Sequence, residues 1–147
     1  MELRSLPTCP TCGWIGFCDP KVVAVALIEA GAGRVWLVRR AIEPRVGEWA
    51  LPGGYVDAAE HPAVAAVREC REEMLCEVEV GTLVGVEHAS FGDAGVVVIA
   101  YAGRVVGGSP APGPEVLEVG HWEVGATPPL AFATHAAFLR VYGDAAR

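Results

Sequence analysis

The chain lacks a basic cluster beyond the pair Arg39-Arg40, and its net charge of −7 argues against a nucleic-acid partner. An acidic protein that handles phosphates needs a metal to bring them in. No segment reaches the roughly 18 unbroken apolar residues of a membrane span. The polar start carries no signal-peptide pattern, so no membrane partner is expected and the cytoplasm is the expected compartment. Five cysteines, an odd number, exclude a simple secreted disulfide framework. Internal repeats and low-complexity tracts are also missing. What is present is 147 residues, 52% of them apolar and 20% charged. That is enough for one folded domain with a real core and too little for two ordinary ones.

The most informative stretch is Gly53 to Cys76, GGYVDAAEHPAVAAVRECREEMLC. Its glycines follow Pro52 and allow backbone geometry closed to other residues. Pro62 suits a first helical turn, because its missing N–H was unpaired anyway, so the spacing predicts a helix from about His61 to Met74. On a helical wheel Ala63, Val67, Cys70 and Met74 form the core stripe, with Glu69, Glu72 and Glu73 together on the opposite side. A solvated acidic face is one reading. Against it, these acids sit at the negative end of the helix dipole, and none has a lysine or arginine four residues later. An external cation explains them more simply, and hard carboxylate oxygens suit Mg²⁺ or Mn²⁺.

Residues 1–20 read as an appendage and 21–147 as the main domain. Cys9-Pro-Thr-Cys12-Gly is half of a zinc-ribbon knuckle, with Cys18 further on; structural Zn²⁺ needs four ligands, so a zinc site, a vestigial knuckle and a redox-sensitive thiol pair all stay open. Cys70 and Cys76 read as small apolar residues. Strands are expected at 21–28 and 34–40, forming a hairpin. Arg39 and Arg40 end the second arm, either as edge charges or as phosphate binders. Further strands are expected at 77–86 and 95–106, with 87–94 as a loop able to reach a ligand through His88 or Phe91. Glu115 to Glu118 lead into a strand through Trp122. A last helix has Thr134 as N-cap and Gly143 as its stop. Trp14, Tyr55 and Phe91 either stack on an adenine or flavin or simply pack. The pattern is α+β, a mixed sheet flanked by helices.

Gly54, Glu60, Arg68, Glu69, Glu72 and Glu73 stand at every interval of the Nudix hydrolase signature, and the chain resembles that superfamily. The resemblance extends to the cysteine knuckle, Pro20-Lys21, Arg39-Arg40, Trp49-Ala-Leu-Pro-Gly-Gly54, Ala111-Pro-Gly-Pro-Glu115 with Glu118, and Leu130-Ala-Phe132. In these the chain is most similar to small FAD and ADP-ribose pyrophosphatases. The resemblance implies an α/β/α sandwich and hydrolysis of a nucleoside diphosphate linked to another group, with ADP-ribose, FAD and NADH leading. It implies metal ligands at Glu69, Glu72, Glu73 and the Gly54 carbonyl, Arg68 orienting a glutamate such as Glu60, and Glu69, Glu115 or Glu118 as base. Arg39, Arg40, Tyr55 and Phe91 become substrate contacts, and a homodimer is expected from resemblance and from the frequency of two-fold oligomers.

Three departures from the signature stand out. Leu75 occupies its last glycine position, cysteines replace both aliphatic residues, and Ala59 replaces a frequent glycine. A non-glycine at the helix exit costs on the order of 1 kcal/mol or forces another exit. The carboxylates are all present, which favours an enzyme over the alternative of a non-catalytic ligand sensor.

Overall fold

The computed structural model describes residues 6–92 and 94–147, without the side chain of Phe91. It contains strands β1 (Lys21–Glu29), β2 (Arg34–Arg40), β3 (Trp49–Ala50) and β4 (Gly53–Tyr55), then helix α1 (Pro62–Met74). Strands β5 (Glu77–Phe91), β6 (Ala94–Gly107) and β7 (Val116–Glu123) follow, and helix α2 (Ala133–Ala145) closes the chain. No helix among the described residues is long and apolar enough to cross a membrane.

One mixed sheet runs β3-β2-β1-β6-β5, with β4 on β1 and β7 on β2. Strand β1 is at its centre because KVVAVALIE is apolar on both faces, as a doubly covered strand must be. It pairs in parallel with β6 from Lys21↔Val96 to Glu29↔Arg104. Its side chains alternate between two cores. Ala24, Ala26 and Ile28 pack with Ala65, Ala66, Cys70 and Met74 of α1. Val25 and Leu27 pack with Phe138 and Leu139 of α2. The result is the expected α/β/α arrangement. Cys70 and Cys76 are buried, as their reading as small apolar residues requires.

Several expected boundaries shift. The 87–94 loop is instead the end of a long hairpin: β5 continues to Phe91, and His88 pairs with Val97 in the ladder. Gly92 stands in the turn after β5 and adopts φ +60°, a left-handed conformation that suits glycine at a hairpin turn. The β1–β2 hairpin pairs directly only at Glu29↔Val35. Farther on, β4 takes the edge of β1 at Val23–Val25, while β2 pairs along its length with β7. Helix α2 has Phe132, not Thr134, as its N-cap, and it runs past Gly143. A Cβ at Gly143 would lie 3.1 Å from Val124 Cγ1, so this glycine serves packing against the preceding segment rather than termination.

Helix α1 matches its expected span but not its expected wheel. Its buried residues are Ala65, Ala66, Cys70 and Met74, so the stripe is rotated from that expected and brings Glu69 and Glu73 to its border. The helix starts with His61 as N-cap, whose Nδ1 accepts from Ala63 N at 3.1 Å. It ends at Leu75, which takes the left-handed conformation itself, φ 51° and ψ 35°. The exit geometry is therefore retained without glycine. Part of the compensation comes from the segment before β7: Ala111 N donates to Met74 O at 2.8 Å and Gly113 N to Glu73 O at 3.0 Å. Those bonds satisfy carbonyls that a helix end otherwise leaves open. Leu75 is 54% exposed, so its side chain returns little. Leu75→Gly should raise stability by about 0.5–1 kcal/mol, seen as a rise of a few degrees in the thermal midpoint.

Candidate active site

Arg68 organises the acidic face. Its guanidinium forks onto Glu60, Nε to Oε1 at 2.8 Å and Nη2 to Oε2 at 2.9 Å. The Nη1 group donates to Glu69 Oε1 at 2.8 Å and reaches Glu72 Oε1 at 3.5 Å. The Nη2 group also donates to the Tyr55 carbonyl at 3.0 Å, tying α1 to β4. The fork holds the Glu60 carboxyl below its ordinary pKa and raises that of Arg68. This two-bond geometry is one that lysine cannot reproduce.

The Pro52-Gly53-Gly54 strap lies directly over α1. Gly53 N donates to Glu73 Oε2 at 2.9 Å, and a Cβ on Gly54 would collide with the Glu69 carboxylate. A side chain at 54 would displace the Glu69 carboxylate from its place against the backbone. Gly53, at φ +157°, would place a Cβ 2.7 Å from Val25 Cα. On its other side the strap is fixed from the far layer and from the central strand β1. Leu51 N donates to Nδ1 of buried His135 at 3.1 Å, and Ala26 N donates to Pro52 O at 2.9 Å.

Burial raises the pKa of Glu73 to about 8, with the neighbouring Glu69 and Glu115 carboxylates pushing the same way and Gly53 N–H and Arg40 opposing. Glu69 is also raised by burial, against the pull of Arg68. Glu72 is the outward member, with 58% of its side chain exposed. Among the described residues no three histidine, cysteine or acidic side chains converge as a ready-made metal cage. Arg68 draws Glu69 and Glu72 to itself, and Gly53 draws Glu73. The donor set nevertheless fits a hard divalent cation. It is all oxygen, and carboxylates whose charge is disfavoured by burial and by one another are relieved by positive charge.

The remaining expected residues separate into those near this cluster and those away from it. Glu115 is close enough to perturb Glu69 and Glu73, whereas Glu118 lies on β7, 3.7 Å from Arg39. Arg40 is the cation felt by Glu73; its guanidinium lies 5.1 Å from the Phe132 ring centre and its Nε donates to Pro44 O at 2.7 Å. Arg39 is turned to Gly47 O at 2.8 Å. Tyr55 is 56% exposed beside the cluster, with Lys21 Nζ 5.4 Å from its ring centre. Trp14 belongs to the cysteine knuckle and is 68% exposed. Phe91's side chain lies outside the described residues. A cleft of about 920 Å³ lies elsewhere, between the β1–β2 turn and α2, lined by Glu29, Arg34, Leu139 and Tyr142. It holds none of the signature residues.

His135 was not among the residues the sequence suggested. Burial, with a smaller effect of Arg40, lowers its pKa to about 3. The folded state therefore keeps it neutral, and its contribution is full above the unfolded value near 6.5 and lost as pH falls toward 3. Wild type should lose about 2 kcal/mol relative to His135→Gln between pH 7 and pH 5. Denaturant melts of both proteins at the two pH values check this, and the comparison cancels carboxylates common to both.

Residues 19–140 match the NUDIX domain model. An ADP-ribose pyrophosphatase of Methanocaldococcus jannaschii is 31% identical over 118 residues, 79% of this chain and 69% of that protein. A NUDIX hydrolase crystal structure from Nitrosomonas europaea superposes with a TM-score of 0.80 at 30% identity, covering 93% of this chain and 77% of the other. A MutT NUDIX hydrolase from Burkholderia pseudomallei gives 0.75 at 28% identity over 83% and 97% of the two chains. With the signature's Arg68, Glu69, Glu72 and Glu73 on one helix under a glycine strap and the matches above, this chain belongs to the Nudix family and is a Nudix hydrolase.

Proposed function

We propose that this hydrolase cleaves the pyrophosphate of a nucleoside diphosphate linked to another moiety, giving a nucleotide and a second phosphorylated product. ADP-ribose leads as substrate, with FAD and NADH next. The observation that carries the reading is the buried Glu73 carboxylate beside Glu69 and Glu115, under the Gly53–Gly54 strap. The 31% identity to a protein named as an ADP-ribose pyrophosphatase supports the substrate order.

Glu69, Glu72 and Glu73, with the Gly54 carbonyl, would hold Mg²⁺ or Mn²⁺. Such an ion supplies positive charge to the phosphate oxygens and lowers the pKa of a water. The chain's own residues supply position. Arg68 fixes Glu60 and Glu69 in one plane of hydrogen bonds, and Arg40 offers a second positive charge facing the acids. Tyr55, exposed at the end of β4, would stack on a base. Glu115 is the better placed proton acceptor from the later segment, because Glu118 is engaged by Arg39. A hydrolysis panel over dinucleotides, nucleotide sugars and oxidised nucleoside triphosphates, with Mg²⁺ or Mn²⁺, tests the assignment. Fastest turnover of ADP-ribose is expected, and a preference for nucleoside triphosphates would overturn it.

A further inference from the structure

The N-terminal knuckle takes no part in the site above. Residues 7–16 form a tight reversal in which Thr8 bridges Ile15 antiparallel. Cys9 N donates to Trp14 O at 2.7 Å and Gly13 N to Cys9 O at 2.9 Å, with Gly13 at φ +71°. The reversal folds Cys12 back onto Cys9. The Cys9 sulfur receives the backbone N–H groups of Cys12 and Thr11 and a hydrogen bond from the Cys12 side chain, which lowers its pKa. Two sulfurs at one hairpin tip, with N–H groups aimed at one of them, are a preorganised pair of soft ligands.

A closed structural zinc site needs four. The same chain does not bring them together: among the described residues no third histidine, cysteine or acidic group joins the pair. Cys18 is exposed apart from it, and Cys70 and Cys76 are buried in the core. The knuckle also carries an apolar surface. Trp14, Ile15 and Phe17 are 68%, 41% and 67% exposed within four positions of sequence, a concentration that marks an interaction surface more often than a solvated one.

We propose that Cys9 and Cys12 are half of a tetrahedral Zn²⁺ site that the same two residues of a second copy of this chain complete, across a two-fold axis. The ligand type selects the metal, since four thiolates in tetrahedral array suit zinc. The symmetry follows from the half-site: two identical pairs make a self-complementary contact that closes at a dimer. Trp14 and Phe17 would be covered around the metal. Each coordinating thiol releases its proton to solvent, so the contact tightens as pH rises.

Protein purified under reducing conditions without chelator should contain one zinc per two chains by elemental analysis and run as a dimer by light scattering. Cys9→Ser and Cys12→Ser should each lose the zinc and become monomeric while keeping their circular dichroism spectrum. Cys18→Ser should keep both zinc and dimer. One zinc per chain in a monomer, lost on Cys18→Ser, would overturn the proposal, as would absence of zinc, a Cys9–Cys12 disulfide, or a dimer that persists without the two cysteines. None of these readouts involves hydrolysis, so the proposal stands or falls apart from the substrate assignment.

Discussion

Glu73→Gln is expected to fold as well as the wild type and to lose hydrolytic turnover by about a thousand-fold, the scale of removing several kcal/mol of charge stabilisation from the transition state. The two effects part company because of where the carboxylate sits. Its Oε2 accepts from Gly53 N at 2.9 Å, a bond that the glutamine carbonyl can also accept. Burial and the neighbouring Glu69 and Glu115 disfavour its charge, so the neutral side chain removes repulsion rather than an attraction. Its thermal midpoint without metal should therefore equal or exceed that of the wild type. Glu72→Gln should also lose turnover, with an even smaller effect on folding, because that side chain is mostly in water. A melting curve beside a metal-saturated turnover assay checks both. Near wild-type rates in either variant at saturating Mg²⁺ would remove that residue from the ligand set.

Arg68→Gln should reduce both stability and activity. The guanidinium holds Glu60, Glu69 and the Tyr55 carbonyl at once, and the Glu60 and Glu69 side chains are only 13% and 15% exposed. Removing it leaves two enclosed carboxylates without their main partner and frees β4 from α1. A fall in thermal midpoint of roughly 5 °C is expected for a domain of this size. Turnover should fall by about a hundred-fold, the cost of displacing a catalytic group by about an ångström. Arg68→Lys should recover part of the stability and little of the rate, because an ammonium replaces the charge without the fork. Equal recovery of both would reduce Arg68 to a charge-balancing role.

The helix and its acids were legible because their information is local. Proline at the first turn, the spacing of Arg68, Glu69, Glu72 and Glu73, and the paired glycines all lie within one stretch of chain. The central strand was equally plain from its unbroken apolar run. The rotation of the helix was not legible, because a wheel cannot know that the Gly53–Gly54 strap will lie on the Glu69–Glu73 side. His135 was hidden for a similar reason: its hydrogen bond to Leu51 spans 84 positions, and nothing near either residue signals it. Leu75 shows the converse. The sequence marked it as a departure, and the two backbone bonds from Ala111 and Gly113 that accompany its strained exit come from a distant segment. The two strands β5 and β6 were expected, but the extension of β5 through Phe91 was not, because a stretch such as Glu87–Ser90 has the composition of a loop until its partner strand is known.

The most direct test of the proposed metal-dependent chemistry is ADP-ribose turnover followed product by product, first after exhaustive chelation and then as Mg²⁺ is restored. The expected result is no turnover without metal, and with it AMP and ribose 5-phosphate in equal amounts, in the wild type but not in Glu73→Gln. Hydrolysis that persists unchanged after chelation, or that Glu73→Gln restores to the wild-type rate with Mg²⁺, would contradict the assignment of these carboxylates as the metal's ligands.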